Sequence, residues 1–346
     1  NDIDLGLSTL TGTLGVEAVA GAITQSGALT VDGVTTLTAG TDITLEDVTN
    51  DFKAAVLLSG VNASLKDAND IDLGLSTLTG TLGVEAGAGG ITGGITQSGV
   101  ITANGGQTTL SAIDDIILDN GANDFSTVVV TNGDNVTLVD TNAITLGAST
   151  VSGAMDVTAS GAVIVNGSVT ADGGFSSAGT TFNNTGGAIT TTNNAITINH
   201  TGAVTIGGSL TSNGGAVDID ATGAGATIAL NAGINSGAGN VTLDSVGATT
   251  VAAAGDITTT TGDVTFGGTR AGALTTAGNV TTAGGNVTFT RATLLNGPVS
   301  VNTGIGTGNI LFNSTVNGGQ NLTLAAGDGD ITFNNAVGNT ARLGAL

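Results

Sequence analysis

The chain has 346 residues, of which 59 are glycine, and its 27 acidic side chains against five basic ones give a net charge of −22. Five scattered basic residues are too few to neutralise a phosphate backbone, which argues against nucleic-acid binding. With no cysteine and a single histidine, the sequence offers no disulfide framework, thiol nucleophile or histidine-pair metal site.

The N-terminal part of the chain contains a long internal repeat. The segment NDIDLGLSTLTGTLGVEA at 1–18 recurs unchanged at 69–86, ITQSG at 23–27 recurs at 95–99, and NDF at 50–52 recurs at 123–125. These offsets of 68, 72 and 73 define repeat units at 1–68 and 69–141, with small insertions tolerated inside them.

After a less regular stretch at 142–235, residues 236–346 follow a shorter period. The pattern Gly-[Asp/Asn]-[Val/Ile]-x-[Leu/Phe] recurs in steps of 23, 23, 23 and 21, beginning at Gly239, Gly262, Gly285, Gly308 and Gly329. A second apolar row keeps nearly the same spacing: Ile234, Ile257, Val280, Val301 and Leu322. We interpret the long repeat as three turns of this short one.

Within each short period, apolar and polar residues alternate, as in Val264-Thr265-Phe266, which is typical of strands with one buried face. Threonine, valine and isoleucine favour strands, and threonine suits the outward positions. Short strands and a 23-residue period predict an all-β fold, a parallel β-solenoid of about fifteen coils that runs continuously over residues 1–346.

This register places two ladders of side chains in the core. One ladder is Leu243, Phe266, Phe289, Phe312 and Phe333, and the other is Val241, Val264, Val287, Ile310 and Ile331. We expect each residue to stack on its equivalent in the next coil.

The GDIT start at 255–258, the GNVT start at 285–288, the ITQSGALTV segment at 23–31 and the NDF at 50–52 resemble filamentous-haemagglutinin-like exoproteins. These are β-strand-repeat adhesins and surface proteins of Gram-negative bacteria. The resemblance covers essentially the whole chain. It implies a right-handed parallel β-helix that is secreted and displayed as a shaft with adhesive or matrix roles, and it carries no catalytic residues.

An enzyme of the polysaccharide-processing β-helix type needs converging carboxylates with a basic partner. Arg270 and Arg291 lie one period apart, with Asp256 and Asp263 close in sequence, and we interpret both arginines as solvated corner residues. The repetitive sequence predicts no catalytic residue. The alternative is a polysaccharide-binding or polysaccharide-processing site in the irregular coils 142–235, in a groove lined by Asp156, Asp172, Asp218 and Asp220.

No cofactor-binding or metal-ligating residue is predicted, only weak or diffuse binding of divalent cations. The acids considered for a calcium site and set aside are Asp67, Asp70, Asp114, Asp115, Asp328 and Asp330, because no calcium-binding nonapeptide series accompanies them. The lone His200 is expected on the surface. Asn240 and Asn286 stand in Asn-x-Thr sequons, yet they fall on the strand-start pattern, where they are expected to form hydrogen-bonded ladders.

The predicted function is an extracellular, non-catalytic structural or adhesive shaft, secreted or displayed on a bacterial surface or in its matrix. Neither end of the sequence resembles a capping repeat, so we expect the rod to continue covalently or by end-to-end stacking of further copies into a filament. Cell-surface or matrix glycans are the other candidate partners. Neither nucleic acid nor a membrane span is expected.

Overall fold

The computed structural model describes residues 1–90, 92–270 and 272–346. They pack into two compact units, unit 1 at Asn1–Gly161 and unit 2 at Ala162–Leu346. The predicted fold class is confirmed, because the chain is an all-β, right-handed parallel β-helix of about sixteen turns. Within the described ranges, no helix has the length and apolar character needed to cross a membrane.

Unit 1 is built of short strands joined by tight corners. Its strands are β1 Ile3–Leu5, β2 Ser8–Leu10, β3 Leu14–Ala18, β4 Ile23–Gln25, β5 Leu29–Val31, β6 Thr35–Ala39, β7 Ile43–Leu45, β8 Asp51–Phe52, β9 Val56–Gly60, β10 Ala63–Asp67, β11 Ile71–Leu78, β12 Leu82–Ala86, β13 Ile95–Gln97, β14 Ile101–Ser111, β15 Ile116–Leu118, β16 Asp124–Asn132, β17 Val136–Asp140, β18 Ile144–Leu146, β19 Ser149–Val151 and β20 Ala154–Ala159.

Unit 2 repeats the same construction. Its strands are β21 Val163–Val165, β22 Val169–Ala171, β23 Gly174–Gly179, β24 Phe182–Asn183, β25 Ile189–Thr190, β26 Ile196–His200, β27 Val204–Ile206, β28 Leu210–Thr211, β29 Val217–Ala221, β30 Ile228–Leu230, β31 Ile234–Gly237, β32 Val241–Ser245, β33 Thr249–Val251, β34 Ile257–Thr259, β35 Val264–Phe266, β36 Leu274–Thr276, β37 Val280–Thr281, β38 Val287–Phe289, β39 Thr293–Leu295, β40 Val299–Asn302, β41 Ile310–Phe312, β42 Val316–Asn317, β43 Leu322–Ala325 and β44 Ile331–Phe333.

The first coils of unit 1 are shorter than the period of the C-terminal sequence predicts. On one face, Ile3, Ile23, Ile43 and Ala63 pair in succession. Hydrogen bonds between adjacent coils beside these strands join residues 20 positions apart in sequence. Shorter coils explain why the structure has about sixteen turns instead of fifteen.

These shorter coils also correct our interpretation of the long repeat. An offset of 68 exceeds three coils of 20, so the duplicated segment does not return to the face on which it began. The LGVEA strand β3 pairs with β6, whereas its identical copy β12 pairs with β10, which lies on the face of β1, β4 and β7. The long repeat is therefore not three whole turns. A face of the solenoid requires only alternating apolar residues, and both faces accept the same five residues.

In unit 2 the predicted register of the two inward ladders is confirmed, and all their members are buried except the last two, Ile331 and Phe333. Leu243, Phe266, Phe289, Phe312 and Phe333 pair in succession through β32, β35, β38, β41 and β44. The rings of Phe266 and Phe289 lie parallel with centroids 4.9 Å apart, and those of Phe289 and Phe312 are 4.3 Å apart. Val241, Val264, Val287 and Ile310 are fully buried beside them, while Ile331 is 44% exposed.

The second predicted row is correct up to its last member. Ile234, Ile257, Val280 and Val301 pair in succession, but Val301 then pairs with Leu324, while Leu322 pairs with Val299. Because β40 and β43 are four residues long, both leucines fall in one strand, and spacing alone did not distinguish two positions that face the same way.

Candidate functional site

The Gly-Asx pattern of unit 2 forms a continuous column at one corner of the coils. Each Asx side chain accepts a hydrogen bond from the backbone N–H of its equivalent in the next coil, from Asn240 through Asp263, Asn286 and Asn309 to Asp330, at 2.7–2.9 Å. The predicted ladder of the sequon asparagines is thus confirmed, and Asn286 Nδ2 also donates to Asp263. These side chains hold one coil to the next.

The glycine and hydroxyl residues of the same corner have equally defined tasks. A Cβ on Gly262 or Gly285 would collide with the carbonyl oxygen of the glycine one coil below, so the column requires glycine. The hydroxyls of Thr259 and Thr282 donate to the carbonyls of Gly262 and Gly285 at 2.6 Å. Both threonines are buried, which corrects the expectation of outward threonines at this position, because the hydroxyl satisfies a carbonyl inside the corner.

In unit 1 the repeated ITQSG and NDF segments meet as an amide pair in which the asparagine is buried and the glutamine half-buried. Asn50 and Gln25 exchange two amide hydrogen bonds of 2.9 Å, and Asn50 Oδ1 also accepts the backbone N–H of Leu29. Asn123 and Gln97 reproduce both amide bonds at 2.9 and 2.8 Å. The unchanged recurrence of Gln and Asn in the sequence was the available signal for this contact.

Each NDF segment also contacts a buried aspartate. Asp67 accepts backbone N–H bonds from Phe52 at 2.8 Å and Asn69 at 2.7 Å, and it has no exposed surface. Asp140, which is 1% exposed, accepts the corresponding bonds from Phe125 and Asn142 at 2.7 and 2.8 Å. Asp67 is therefore a structural acceptor.

A cluster of charged side chains in unit 2 crosses several coils. Arg270 Nη1 bonds Asp220 Oδ1 at 2.5 Å and Asp244 Oδ2 at 3.0 Å. The guanidinium of Arg291 bonds the other carboxylate oxygen of Asp244 and the hydroxyl of Ser245. The Arg270–Asp220 and Arg291–Asp244 pairs join residues 50 and 47 positions apart, which is about two coils. We call these five residues the Asp-Arg cluster.

The cluster corrects our interpretation of Arg291 as a solvated corner residue, whereas Arg270 is ion-paired and 24% exposed. The side chain of Arg291 is 4% exposed and that of Asp244 is 7% exposed. Burial lowers the pKa of Arg291, and the adjacent Asp244 opposes this shift. Neither arginine has a hydrogen bond to Asp256 or Asp263 in the described part of the chain. Period arithmetic did not find the contact between Arg291 and Asp244, because it reaches past the neighbouring coil.

The four acids of the predicted groove do not all lie together in the structure. Asp218 and Asp220 lie two residues apart on β29, so they share a face, and Asp220 belongs to the Asp-Arg cluster. Burial, followed by the charge of Asp220, raises the pKa of Asp218. Asp172 accepts the hydroxyl of Thr192 at 2.8 Å, and Asp156 lies on β20 of unit 1.

Three more of the acids considered for calcium, Asp70, Asp114 and Asp115, also have backbone partners. Asp70 accepts the N–H of Gly94, Asp114 that of Gly93, and Asp115 that of Asn135, at 2.8–3.0 Å. Among the described residues, no group of three or more acidic or histidine side chains is placed to hold a metal ion. Diffuse cation binding by the acidic surface stays a prediction.

The expectation that His200 lies on the surface is wrong. It is fully buried at the end of β26, with Nε2 2.9 Å from the hydroxyl of Ser177 and its ring 5.4 Å from that of Phe182. Its ladder neighbours are Gly179 and Ala221, whose small size leaves room for the imidazole. Burial lowers the pKa of His200 to about 4, so the imidazole is neutral at physiological pH.

A family model described as repeats of unknown function (DUF5649) matches residues 1–59, 60–132 and 133–195, more than half of the chain. The chain belongs to the DUF5649 repeat family. No curated protein and no solved structure matched it.

The three DUF5649 matches contain the Gln-Asn pairs of unit 1 and the aspartates that accept hydrogen bonds from its NDF segments. The first match holds Gln25 and Asn50, the second holds Gln97 and Asn123, and Asp140 falls in the third. The Asp-Arg cluster lies beyond residue 195 and so outside the matched repeats. The recurring Gln and Asn residues of the matched ranges thus serve contacts between coils, whereas the cluster is a particular feature of unit 2.

Proposed function

We propose that this chain is a non-catalytic structural or adhesive shaft of a bacterial surface or extracellular matrix. The observation that carries the proposal is the use of the repeated polar residues. The Asx column of unit 2 and the Gln-Asn pairs of unit 1 are hydrogen-bonded between coils. A repeat whose recurring polar groups bind its own neighbouring coils is suited to building length.

Secretion and adhesion are proposed from the resemblance to filamentous-haemagglutinin-like exoproteins. The net charge of −22 would keep neighbouring shafts apart at low ionic strength while leaving contact through the ends of the rod open. End-to-end stacking of copies and binding to cell-surface or matrix glycans remain predictions of this proposal.

Imaging and binding measurements test the proposal directly. We expect negative-stain microscopy of native material to show extended fibres on or outside the cell, and cells or glycans to bind immobilised chain without being degraded. Compact particles confined to the cell interior would contradict the shaft.

The second candidate is a polysaccharide-binding or polysaccharide-processing β-helix. The Asp-Arg cluster favours it, because Asp218 and Asp220 share a face beside Arg270, a combination of acids and a base that glycan-processing sites use. Purified chain incubated with a panel of polysaccharides decides between the candidates. We expect no new reducing ends or unsaturated products. Turnover that is lost in Asp218→Asn and retained in the matched variant Asp172→Asn would establish the second candidate.

A further inference from the structure

The last inward position of several strands in unit 1 holds either alanine or aspartate. Ala18 pairs with Ala39 at this position, Asp67 pairs with Ala86, and Asp140 pairs with Ala159. All six residues are buried. On the side of the next coil, each aspartate therefore meets a methyl group, which offers neither a hydrogen bond nor a positive charge.

The charged groups around the two carboxyls are acidic or already paired. Asp51 and Asp70 face Asp67, and Asp124 faces Asp140. Among the described residues, two cations lie near Asp67: Lys66 on the same strand bonds Glu85 at 2.8 Å, and Lys53 bonds Asp32 at 2.8 Å and lies 3.8 Å from Asp51. The remaining neighbouring acids of β10 are Glu46, which faces Lys66, and Asp47, which accepts the N–H and hydroxyl of Thr49.

A carboxyl that is enclosed without a cation holds its proton more tightly than one in water. Burial raises the pKa of Asp67 to about 6, although the backbone N–H groups of Phe52 and Asn69 act in the opposite direction. Burial raises the pKa of Asp140 as well. The same geometry at two equivalent positions makes this a property of the repeat.

We propose that Asp67 and Asp140 are proton-binding positions of the folded solenoid, and that proton uptake there makes unit 1 more resistant to unfolding at mildly acidic pH than at neutral pH. A protonated carboxyl removes a buried negative charge and still accepts one of its two backbone N–H bonds through its carbonyl oxygen. The unfolded chain gives up these protons at an ordinary aspartate pKa of 3.8. The stabilisation is therefore fully present below about pH 4 and is lost as pH rises through about 6 for Asp67.

The direct test is a titration of the full chain labelled with ¹³C at the aspartate carboxyl carbons. Asp67→Asn and Asp140→Asn assign the two resonances by their disappearance. We expect both midpoints to lie above those of the surface aspartates, with Asp67 near 6. Midpoints at or below the ordinary value for both residues would overturn the proposal.

Unfolding measurements test the consequence for stability. In about 0.15 M salt, which screens charges beyond ~8 Å, the urea midpoint is compared at about pH 5 and about pH 7.5. Relative to the double variant Asp67→Asn/Asp140→Asn, the unsubstituted chain should gain stability on acidification. The control Asp32→Asn, at an exposed carboxyl bonded to Lys53, should behave as the unsubstituted chain does.

An equal pH response in the double variant would contradict the proposal. If that variant fails to fold, the unsubstituted chain still decides the question. The backbone ¹⁵N resonances of Phe52 and Phe125, whose N–H groups donate to the two carboxyls, should then shift with the same raised midpoints. Phenylalanine amide resonances that stay constant between about pH 4.5 and about pH 7 would overturn the proposal.

Discussion

At the scale of the residue, the core is organised by identical side chains stacked on one another. Phe289 is 2% exposed and lies between the parallel rings of Phe266 and Phe312. His200 shows the opposite arrangement, a single polar ring between small neighbours that occurs once in the chain. Alternation in the sequence predicted the phenylalanine stack. It gave no sign of the buried histidine, because a lone residue has no periodicity.

Truncating the centre of the stack should be costly. We expect Phe289→Ala to lower the free energy of unfolding by ~3–5 kcal/mol, since it leaves a cavity between two rings. Urea unfolding followed by circular dichroism measures the loss. The matched control is Phe333→Ala, because this half-buried ring stacks on Phe312, at 4.9 Å, on one side among the described residues, and should lose clearly less. Equal losses in the two variants would contradict the continuous stack.

The single histidine permits an unambiguous titration. We expect the His200 ring resonances in proton NMR to titrate near pH 4, because burial disfavours the imidazolium. The unfolded chain protonates near 6.5, so this residue's contribution to stability is lost as pH falls from about 6.5 through about 4. A midpoint near 6.5 would show that the ring is solvated. This trend runs opposite to that of Asp67, so the two contributions to the stability of the whole chain change in opposite directions with pH.

At the scale of the element, the contacts at the corners recur from coil to coil as regularly as the strands do. In unit 2 the Asx side chains, the glycines and the hydroxyl groups form three columns, with one residue per coil in each column. All three columns lie at the start of the same strands. Glycine spacing in the sequence located these corners correctly. The inward direction of Thr259 and Thr282 was not predictable from strand propensity, which does not distinguish a hydroxyl facing water from one bonded to a carbonyl.

A methyl group inside the glycine column should disrupt the stacking of coils. We expect Gly285→Ala to destabilise the chain by ~1–3 kcal/mol or more, because its Cβ would collide with the carbonyl of Gly262. The matched control is Gly319→Ala, whose Cβ would meet nothing within 4 Å. The control should stay within about 0.5 kcal/mol of the unsubstituted chain or gain slightly. Thermal unfolding compares the two, and equal stability of both variants would refute the steric role of the column.

At the scale of the whole molecule, contacts between distant coils add to the ladders of adjacent ones. The Asp-Arg cluster connects residues from Asp220 to Arg291, and each of its long ion pairs passes over one coil. Such a contact couples coils that nearest-neighbour stacking leaves independent. The cluster is thus expected to make the unfolding of this part of unit 2 more cooperative.

Removing one partner of the buried pair should leave an uncompensated charge. We expect Asp244→Ala to destabilise the chain by ~3–5 kcal/mol, and Arg291→Met to do so comparably. In a double-mutant cycle, the combined variant should lose less than the sum of the two. The exposed pair between Lys53 and Asp32 is the control, and its substitution should change stability little. Additive losses at Asp244 and Arg291 would show that they act independently.

The sequence by itself determined the strands, their alternation and the register of the ladder from Leu243 to Phe333. These features follow from chain sterics and from the burial of one strand face, both of which act within a few residues. Only the tertiary structure decided which face the duplicated segment occupies, where His200 lies and which acids meet Arg270 and Arg291. The coils differ in length. More residues separate Leu82 from its partner Thr108 than separate Thr108 from its own partner Val128 in the next coil. Contacts two coils apart therefore depend on accumulated insertions, which no local pattern records.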